Sequence, residues 1–513
     1  MTTLLISVQS DLDVIGLRAL HEFLLARGED STLVFMPTLD DEQEGTLRGL
    51  DRFVAERKPL IAGVSLMSPE HQNAATVTSM LRARHPGLPI VWGGVHPTCD
   101  PENSLESADW ICVGEGETSM LDLVRAAREG RSFKDIPNIG WMEDGVYRQN
   151  PPYPLVQNLD TLPPLSRIPR NAHVALPSGV VPLDEPVFRR YARYMGRNYA
   201  TITSRGCPYE CAYCVNSLYT RLYPGWKVRR RSVDHLIGEL ERVVSESPDI
   251  VYVNFHDDCF LACGMEYLRE FREKYKARVG RRFIARTAPA YVTEERLELL
   301  KDAGLSWVSV GLQSGSDRVC REVFCRRSTR EKFLQAAALI HRFKIAAFYD
   351  FIFDNPWESE EETLETVTAI METPKPYHAE LFSLVFYKGS ALRRRAEEEA
   401  LPILEDPRKK DYFILQRRRI NDLAETAVKL PLFLMKPLLA QYRRNPDALL
   451  TRILLQSAKW SCRLFFTPIS YFQLIQMSHG GSLRETAAVL PMYFKTAFSR
   501  YYLRQITRTK STE

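Results

Sequence analysis

The sequence predicts an α/β fold with two successive α/β domains, at residues 1–135 and 195–390, followed by a helical region at residues 391–513. Three observations indicate this class. Short β-rich runs alternate with helical patterns up to about residue 130, a second alternating series starts at Tyr199, and the pattern after about Leu392 is helical and basic. Strands that alternate with helices favour parallel sheets with helices on their faces.

The first domain has the pattern of a doubly wound, Rossmann-like sheet. Its strand-like runs are TLLISV, STLVFM, PLIAGVSL, LPIVWGG and DWICVGEG, with a last helix from about Glu117 to Glu129. Ligands of such sheets bind beyond the carboxyl ends of the strands. The loops there are SLMSP (65–69), GGVHPT (93–98) and GEGE (114–117), and their small residues let a large flat ligand approach the backbone.

Residues 136–194 are predicted to be a proline-rich linker. Nine prolines fall between Pro151 and Pro186, which favours little regular structure. The basic aromatic end of this segment, RRYARYMGRNY, can form a helix.

The second series predicts a partial (β/α)6 barrel over residues 195–390. Its six strand-like runs are YATITS, IVYVNF, RFIART, SWVSVGL, AAFYDFIF and HAELFSLVF. Barrel enzymes place their chemistry just after the strands. A cysteine loop, HDDCF (256–260), QSGS (313–316) and DNPWES (354–359) occupy such positions.

Composition excludes several classes of function. The net charge of +4 is too small to indicate a nucleic-acid partner. No run of about 18 apolar residues is present, so no membrane-spanning helix is expected. The start MTTLLISVQSDLD predicts a first strand rather than a signal peptide. The ten cysteines lack disulfide-framework spacing, which predicts reduced thiols in a cytoplasmic protein.

The cysteine loop RGCPYECAYCVNS spaces Cys207, Cys211 and Cys214 as C-x3-C-x2-C. A structural zinc site is one interpretation, but it needs four ligands, and the nearest further candidates, His235 and Cys259, lack matching spacing. Three thiolates on a four-iron cluster would leave one iron open for another molecule. A loop directly after a barrel strand suits an open site, so the sequence favours an iron–sulfur cluster.

This loop, together with Tyr213 before the third cysteine, resembles the radical S-adenosylmethionine (SAM) superfamily over roughly residues 195–390. The resemblance implies that Cys207, Cys211 and Cys214 hold a [4Fe–4S] cluster whose open iron binds SAM. HDDCF lies where that family has its SAM-amino-group motif, although the usual GGE is absent, and GLQSGSD and DFIFDNPWES resemble its fourth- and fifth-strand motifs. The implied SAM contacts are Tyr213, Asp257, Asp258, Arg286, Gln313, Ser314, Ser316, Phe353 and Pro356.

The first domain resembles the cobalamin-binding domain that precedes the barrel in one large radical SAM subgroup. The matching stretches are GVSLMSP, WGGVHPT and VGEGE. The alternative is a Rossmann-like domain that binds nothing. The implied cobalamin contacts are Ser65, Met67, Gly93, Gly94, His96, Pro97, Gly114, Glu115, Gly116 and Glu117.

One departure concerns the cobalt ligand. Many cobalamin domains present a histidine through D-x-H-x-x-G, but DLDVIGLRAL contains Asp13 and Gly16 without that histidine. We expect base-off cobalamin with no histidine below the cobalt, and with the SLMSP loop around Met67 over the lower face. His96 is not expected to be a cobalt ligand.

No catalytic residue is identified, but His256 and Tyr349 lie near strand ends and are candidates for substrate contact or proton transfer, with a structural role as the alternative. The other cysteines are interpreted as buried or incidental: Cys99, Cys112, Cys259, Cys263, Cys320, Cys325 and Cys462.

The resemblance implies methylation of an unactivated carbon. One SAM would methylate cob(I)alamin, and a second would yield the 5′-deoxyadenosyl radical that abstracts hydrogen from the substrate. The alternatives are a non-methylating cyclisation, ring contraction or oxidation, and a non-enzymatic iron–sulfur or cobalamin sensor. We expect a monomer, a small-molecule or lipid substrate, and an external electron donor of the flavodoxin or ferredoxin type.

The aromatic, basic C-terminal region has three interpretations. It can form a helical cap on the barrel, a lid over a substrate pocket, or an amphipathic face for peripheral membrane contact. The stretches KLPLFLMKPLLAQYRR and FKTAFSRYYLRQITR mix cations with large apolar residues, as interfacial helices do.

Overall fold

The computed structural model of the chain describes residues 2–403 and 414–497. These residues divide into two compact units. The first unit comprises residues 2–206, 213–251 and 386–403, and the second comprises residues 207–212, 252–385 and 414–497. The boundary crosses the cysteine loop, because Cys207 and Cys211 belong to the second unit and Cys214 to the first.

Twelve strands are assigned to the first unit. They are β1 (Thr3–Ser7), β2 (Ser31–Phe35), β3 (Ile61–Ser65), β4 (Ile90–Gly93), β5 (Trp110–Cys112), β6 (Ile139–Glu143), β7 (Val146–Gln149), β8 (Ala172–Leu176), β9 (Gly179–Pro182), β10 (Asn198–Thr201), β11 (Ser204–Arg205) and β12 (Arg229–Arg230).

The helices of this unit cover both faces of its sheet or follow it in the chain. They are α1 (Ile15–Ala26), α2 (Gln43–Arg57), α3 (His71–Arg84), α4 (Val95–Cys99), α5 (Pro101–Leu105), α6 (Glu117–Glu129), α7 (Glu185–Tyr191), α8 (Asn216–Leu222) and α9 (Val233–Glu246).

A nine-stranded sheet forms the centre of the first unit, in the order β7-β6-β5-β4-β3-β1-β2-β8-β9. The six strands from β5 to β8 in this order are parallel, and antiparallel hairpins close both edges. Leu5 and Ile61 are buried on one face of the sheet, and Ile6 and Val64 on the other. Burial on both faces explains the continuous apolar strands and confirms the predicted doubly wound fold.

The segment predicted as a linker is part of this sheet. Residues 139–182 supply β6, β7, β8 and β9, so the prediction of little regular structure is wrong there. Most of the prolines lie between the strands, and Pro182 ends β9, which is an edge strand where a missing N–H is tolerated. The predicted domain boundaries stay predictions.

The second unit contains five parallel strands that pair in chain order. They are β13 (Tyr252–Phe255), β14 (Arg282–Thr287), β15 (Leu305–Gln313), β16 (Ala346–Phe353) and β17 (His378–Ser383). The helices between them are α10 (Met265–Arg278), α11 (Glu294–Ala303), α12 (Arg330–Arg342) and α13 (Glu360–Glu372).

Helices predominate after β17, as predicted. Helix α14 (Ala391–Glu398) belongs to the first unit. The second unit continues with α15 (Arg419–Lys429), α16 (Leu432–Arg444), α17 (Leu449–Ser461), α18 (Thr467–Ser478) and α19 (Leu483–Ala497). Every helix within residues 2–403 and 414–497 is either too short or too polar to span a bilayer. The predicted stretch FKTAFSRYYLRQITR lies mostly outside the described residues.

Candidate functional site

The carboxyl edge of the first unit's sheet is a connected set of loops. Gly94 has a φ of +100°, and a Cβ at this position would lie 2.8 Å from the carbonyl oxygen of Leu66. The His96 amide donates to that same oxygen at 3.3 Å. The Thr98 hydroxyl donates to the Gly94 carbonyl at 2.8 Å and accepts from the Gly114 amide at 3.0 Å. These bonds join the predicted cobalamin loops after β3, β4 and β5. Ser65 and Gly93 are the last residues of β3 and β4, and Pro97 lies within α4.

Met67 presents an exposed side chain at this edge, with 43% of its surface accessible. Its amide donates to Glu70 Oε2 at 3.1 Å, which fixes the turn before α3. Burial raises the pKa of Glu70 to about 7. An exposed, polarisable side chain on a fixed turn suits the predicted role of Met67, which is to cover the lower face of cobalamin. That role stays a prediction.

His96 is held inside its own loop. Its Nδ1 lies 3.1 Å from Ser68 Oγ, and its ring packs edge-on against His71 at a centroid distance of 4.9 Å. Burial lowers the pKa of His96 to about 4, so the ring is neutral near pH 7. This setting gives the imidazole a packing role in the loop, and the expectation that it does not bind cobalt stays a prediction.

The two glutamates of GEGE make ion pairs within the protein. Arg229 donates to both carboxylate oxygens of Glu115, at 2.5 and 3.1 Å. Arg205 donates to Glu117 at 2.5 Å and lies 3.2 Å from Glu115. Burial alone would raise the pKa of Glu117, but the Arg205 guanidinium holds it below its ordinary value. These pairs anchor the chain at Arg205, two residues before Cys207, and no local sequence pattern indicated them.

Tyr223 covers the GEGE loop. Its hydroxyl accepts from the Glu115 amide at 3.0 Å and from Asn138 Nδ2 at 3.3 Å. A Cβ at Gly114, where φ is +88°, would overlap this hydroxyl at 1.9 Å. Gly114 is therefore required for the close approach of a protein side chain, and Gly116 follows as the residue before α6.

Cys207 and Cys211 lie beside an arginine that the sequence did not single out. Arg326 is buried and places Nη1 3.5 Å from Cys211 Sγ. Its Nη2 donates to the Gly311 carbonyl at 2.8 Å, and its guanidinium lies 5.3 Å from the Tyr209 ring centroid. Burial raises the pKa of Cys207 to about 12. The cysteine loop thus has a fixed cation at one thiol.

Cys214 and its neighbour Tyr213 are half-buried in the first unit. Asn216 Nδ2 lies 3.7 Å from Cys214 Sγ, and Ser217 donates to the Cys214 carbonyl. All ten cysteines are free thiols. Within residues 2–403 and 414–497, no group of three or more ligating side chains is already assembled as a metal site. Three free thiols on one short loop nevertheless match the donor set of an iron–sulfur cluster.

A half-buried charge cluster lies in the second unit around Arg286, on β14. Burial lowers the pKa of Arg286, and nearby carboxylates oppose the shift. Burial raises the pKa of Asp350, on β16, and its Oδ2 accepts from Ser309 Oγ at 3.3 Å. The carboxylates that act on Arg286 are those of Asp350, Glu380, Asp257 and Asp258. Three predicted SAM contacts, Arg286, Asp257 and Asp258, are thus brought together.

The fourth-strand motif contains one residue with a strained backbone and two serines whose hydroxyls already donate hydrogen bonds. Gln313 has a φ of +77°, next to a register irregularity in β15. Ser314 donates to Glu358 at 2.7 Å, and Ser316 donates to Glu362 at 3.0 Å. Both hydroxyls therefore already bind carboxylates near the start of α13, and Glu358 is a residue of this site that the sequence analysis missed.

The remaining candidates differ in their surroundings. Phe353 is fully buried, Pro356 is exposed and His256 is half-buried after β13. Tyr349 is fully buried and packs against Phe333 of α12 at 5.1 Å and against Tyr377 at 5.3 Å. These contacts are those of the structural alternative for Tyr349, and the predicted substrate contact or proton transfer stays a prediction.

Two family models match the chain. The B12 binding domain model matches residues 1–124, and the Radical SAM superfamily model matches residues 201–370. The predicted family resemblance is thereby confirmed. Cobalamin is the cofactor of the first domain type, and a [4Fe–4S] cluster with SAM is that of the second.

Two of the curated relatives differ in the reaction that their names give. An uncharacterised methyltransferase of Pyrococcus horikoshii is 27% identical over 63% of this chain and 66% of its own length. An anaerobic magnesium-protoporphyrin IX monomethyl ester cyclase of Rubrivivax gelatinosus is 24% identical over 64% of this chain and 56% of its own length. The alignments thus leave a third or more of each relative unmatched.

Two solved structures share the fold. The radical SAM methyltransferase TsrM of Kitasatospora setae, with tryptophan and a SAM analogue bound, is 20% identical with a TM-score of 0.63, over 78% of this chain and 76% of that one. The cobalamin-dependent SAM radical enzyme OxsB, with aqua-cobalamin and SAM bound, is 15% identical with a TM-score of 0.67, over 99% and 83%. At these identities the likeness concerns the fold.

Proposed function

We propose, from the premise that this chain is a cobalamin-binding member of the Radical SAM superfamily, that it methylates an unactivated carbon of a small-molecule or lipid substrate. One observation carries the proposal: a B12 binding domain and a three-cysteine loop of the radical SAM type stand in one chain. The methyltransferase relative supports the methylation outcome.

The residues that would hold the cofactors follow from the site. Cys207, Cys211 and Cys214 would bind the cluster, and the loops at Met67 and Gly94 would border cobalamin. When bound, the cluster with SAM supplies a 5′-deoxyadenosyl radical, and cobalamin carries the methyl group.

The charge cluster around Arg286 supports the binding of an amino acid group such as that of SAM. Arg286 can pair with a carboxylate, and Asp257 and Asp350 can accept from an ammonium group. Asp257 is buried, and Arg286 and Asp350 are half-buried, so these side chains offer polar groups for such a ligand within the second unit. The predicted flavodoxin- or ferredoxin-type donor would supply the electron.

The test compares two cysteine variants after anaerobic reconstitution. Cys207→Ala is expected to lose cluster absorbance and to lose reductant-dependent SAM cleavage. Cys325→Ala removes an exposed cysteine outside the loop and is expected to retain both. Undiminished SAM cleavage by Cys207→Ala would contradict the proposed role of the loop.

A cyclase is the second candidate, because the Rubrivivax gelatinosus relative has that activity by name. The products separate the two. Methylation consumes SAM to both 5′-deoxyadenosine and S-adenosylhomocysteine, whereas a cyclisation yields only the first. A non-enzymatic sensor would show an intact cluster and no SAM cleavage.

A further inference from the structure

Exposed apolar side chains of the second unit are concentrated on α16, α17 and α18 and on the π-helical turn Cys462–Phe466 that joins α17 to α18. Of the 17 large hydrophobic residues that are exposed in the described chain, 13 lie between Leu432 and Phe472. Monomeric proteins rarely expose so many large apolar side chains within one short segment without a partner. We name this set the outer apolar face: Leu432, Phe433, Leu434, Leu449, Leu450, Ile453, Leu454, Trp460, Leu464, Phe465, Ile469, Tyr471 and Phe472.

The same helices have a separate, well-packed inner face. Met435 and Leu438 of α16, Leu455 of α17 and Leu474 of α18 are buried. Helix α15 packs against α13 on one side and α17 on the other, and α18 packs against β15 and β16. The side chains of the outer apolar face are therefore not part of the core that these helices form with their inner face.

The charges in this segment are mostly positive. Between residues 432 and 478 the sequence has six cations and one acid, Asp447. Asp447 pairs with Arg419, and Lys459 pairs with Asp422 and Glu425. The other five cations are exposed and make no ion pair with any described residue: Lys436, Arg443, Arg444, Arg452 and Arg463.

We propose that the outer apolar face binds the surface of an anionic lipid bilayer. Apolar side chains with interspersed, unpaired cations match the boundary between acyl chains and anionic headgroups. None of the helices described for residues 2–403 and 414–497 is both long and apolar enough to span a bilayer, so these side chains suit a position in that boundary rather than across it. A second copy of this chain is a poorer partner, since its own face would bring cations against cations.

The primary test is flotation of the full-length, anaerobically reconstituted protein with lipid vesicles. We expect it to float with phosphatidylcholine vesicles that contain phosphatidylglycerol, and to float less with pure phosphatidylcholine or at high salt. The Phe433→Ser/Phe465→Ser variant removes two side chains that are 74% and 61% exposed. We expect its affinity for the anionic vesicles to be at least about tenfold lower than that of the wild-type protein.

A matched control removes two exposed apolar side chains elsewhere. Met142→Ser/Val146→Ser changes residues that are 44% and 51% exposed on β6 and β7, and vesicle binding is expected to be unchanged. SAM cleavage without substrate should be the same in both double variants, which separates a failure of this proposal from a failure of the proposed reaction.

The fluorescence of Trp460 gives a second measurement of vesicle binding, and this measurement uses the wild-type protein. Trp460 is 54% exposed on the outer apolar face, and brominated phosphatidylglycerol should quench part of the tryptophan emission of the wild-type protein. That part should be missing in Trp460→Phe. The proposal would be overturned if the protein did not float with anionic vesicles at low salt, or if the Phe433→Ser/Phe465→Ser variant bound them as well as the wild-type protein does. A stable dimer that depends on Phe433, without vesicle binding, would also overturn it.

Discussion

Arg326 shows how one side chain can set the properties of the cysteine loop. The side chain is buried. Its Nη1 lies 3.5 Å from Cys211 Sγ, and its Nη2 donates to the Gly311 carbonyl at 2.8 Å. A cation and a hydrogen bond at a cluster thiolate stabilise the more reduced, more negative state, and so raise the reduction potential. Arg326 is thus a positioning and tuning residue, because its contact is to a predicted ligand.

Arg326→Met is expected to lower the reduction potential of the reconstituted cluster, by on the order of tens of millivolts. The measurement is an anaerobic redox titration followed by electron paramagnetic resonance. Arg326→Lys should recover part of the shift, and Arg327→Met, which changes the exposed neighbour, should cause none. An unchanged potential in Arg326→Met would show that the contact has no electronic effect.

Glu358 predicts a pH dependence of stability at the residue scale. Burial raises its pKa from an ordinary value of 4.5 to about 7, while Ser314 donates to it. Folding therefore favours the protonated acid, and stability falls as pH rises from about 4.5 through about 7.

In the Glu358→Gln variant, the decrease in the free energy of unfolding between pH 5 and 8 should be smaller by on the order of 2 kcal/mol. Urea denaturation of the SAM-free protein at several pH values measures the effect. Glu361→Gln, an exposed change on α13, is the control. If the two variants have the same pH profile, Glu358 does not titrate in this range.

The ion pairs between GEGE and the strands β11 and β12 act at the scale of elements. They fix β11, which leads into the cysteine loop, to the end of β5 within the first unit. Removing one partner of a buried pair leaves an uncompensated charge, which is the costly case.

Arg205→Met should lower the free energy of unfolding by about 3 kcal/mol, measured by urea denaturation. The double variant Arg205→Met/Glu117→Gln should recover part of the loss, because no lone carboxylate stays buried. Arg148→Met, in an exposed pair with Glu143, should have little effect. A double variant that is no more stable than Arg205→Met would contradict the charge argument.

Local patterns predicted the elements well where periodicity alone determines them. RFIART and AAFYDFIF coincide with β14 and β16, and the helix expected from Glu117 to Glu129 is α6. Over residues 139–182 the proline count was misleading, because prolines beside strands do not prevent pairing within them. The site was only partly predictable: Arg205, Arg229 and Arg326 contact residues about 90 to 115 positions away, and no local spacing records such contacts.

At the scale of the whole molecule, one chain would use cobalamin and a radical SAM centre for methyl transfer. Such methylation uses two SAM molecules in two different ways. Neither the barrel motifs nor the cobalamin loops alone would require both products.

The most direct measurement is product counting with SAM that carries a deuterated methyl group, using the reconstituted protein, cobalamin and a low-potential reductant. We predict that 5′-deoxyadenosine and S-adenosylhomocysteine form in equal amounts on substrate turnover, with the deuterated methyl group in the product. Formation of 5′-deoxyadenosine alone, with no labelled methyl group transferred, would contradict methyl transfer.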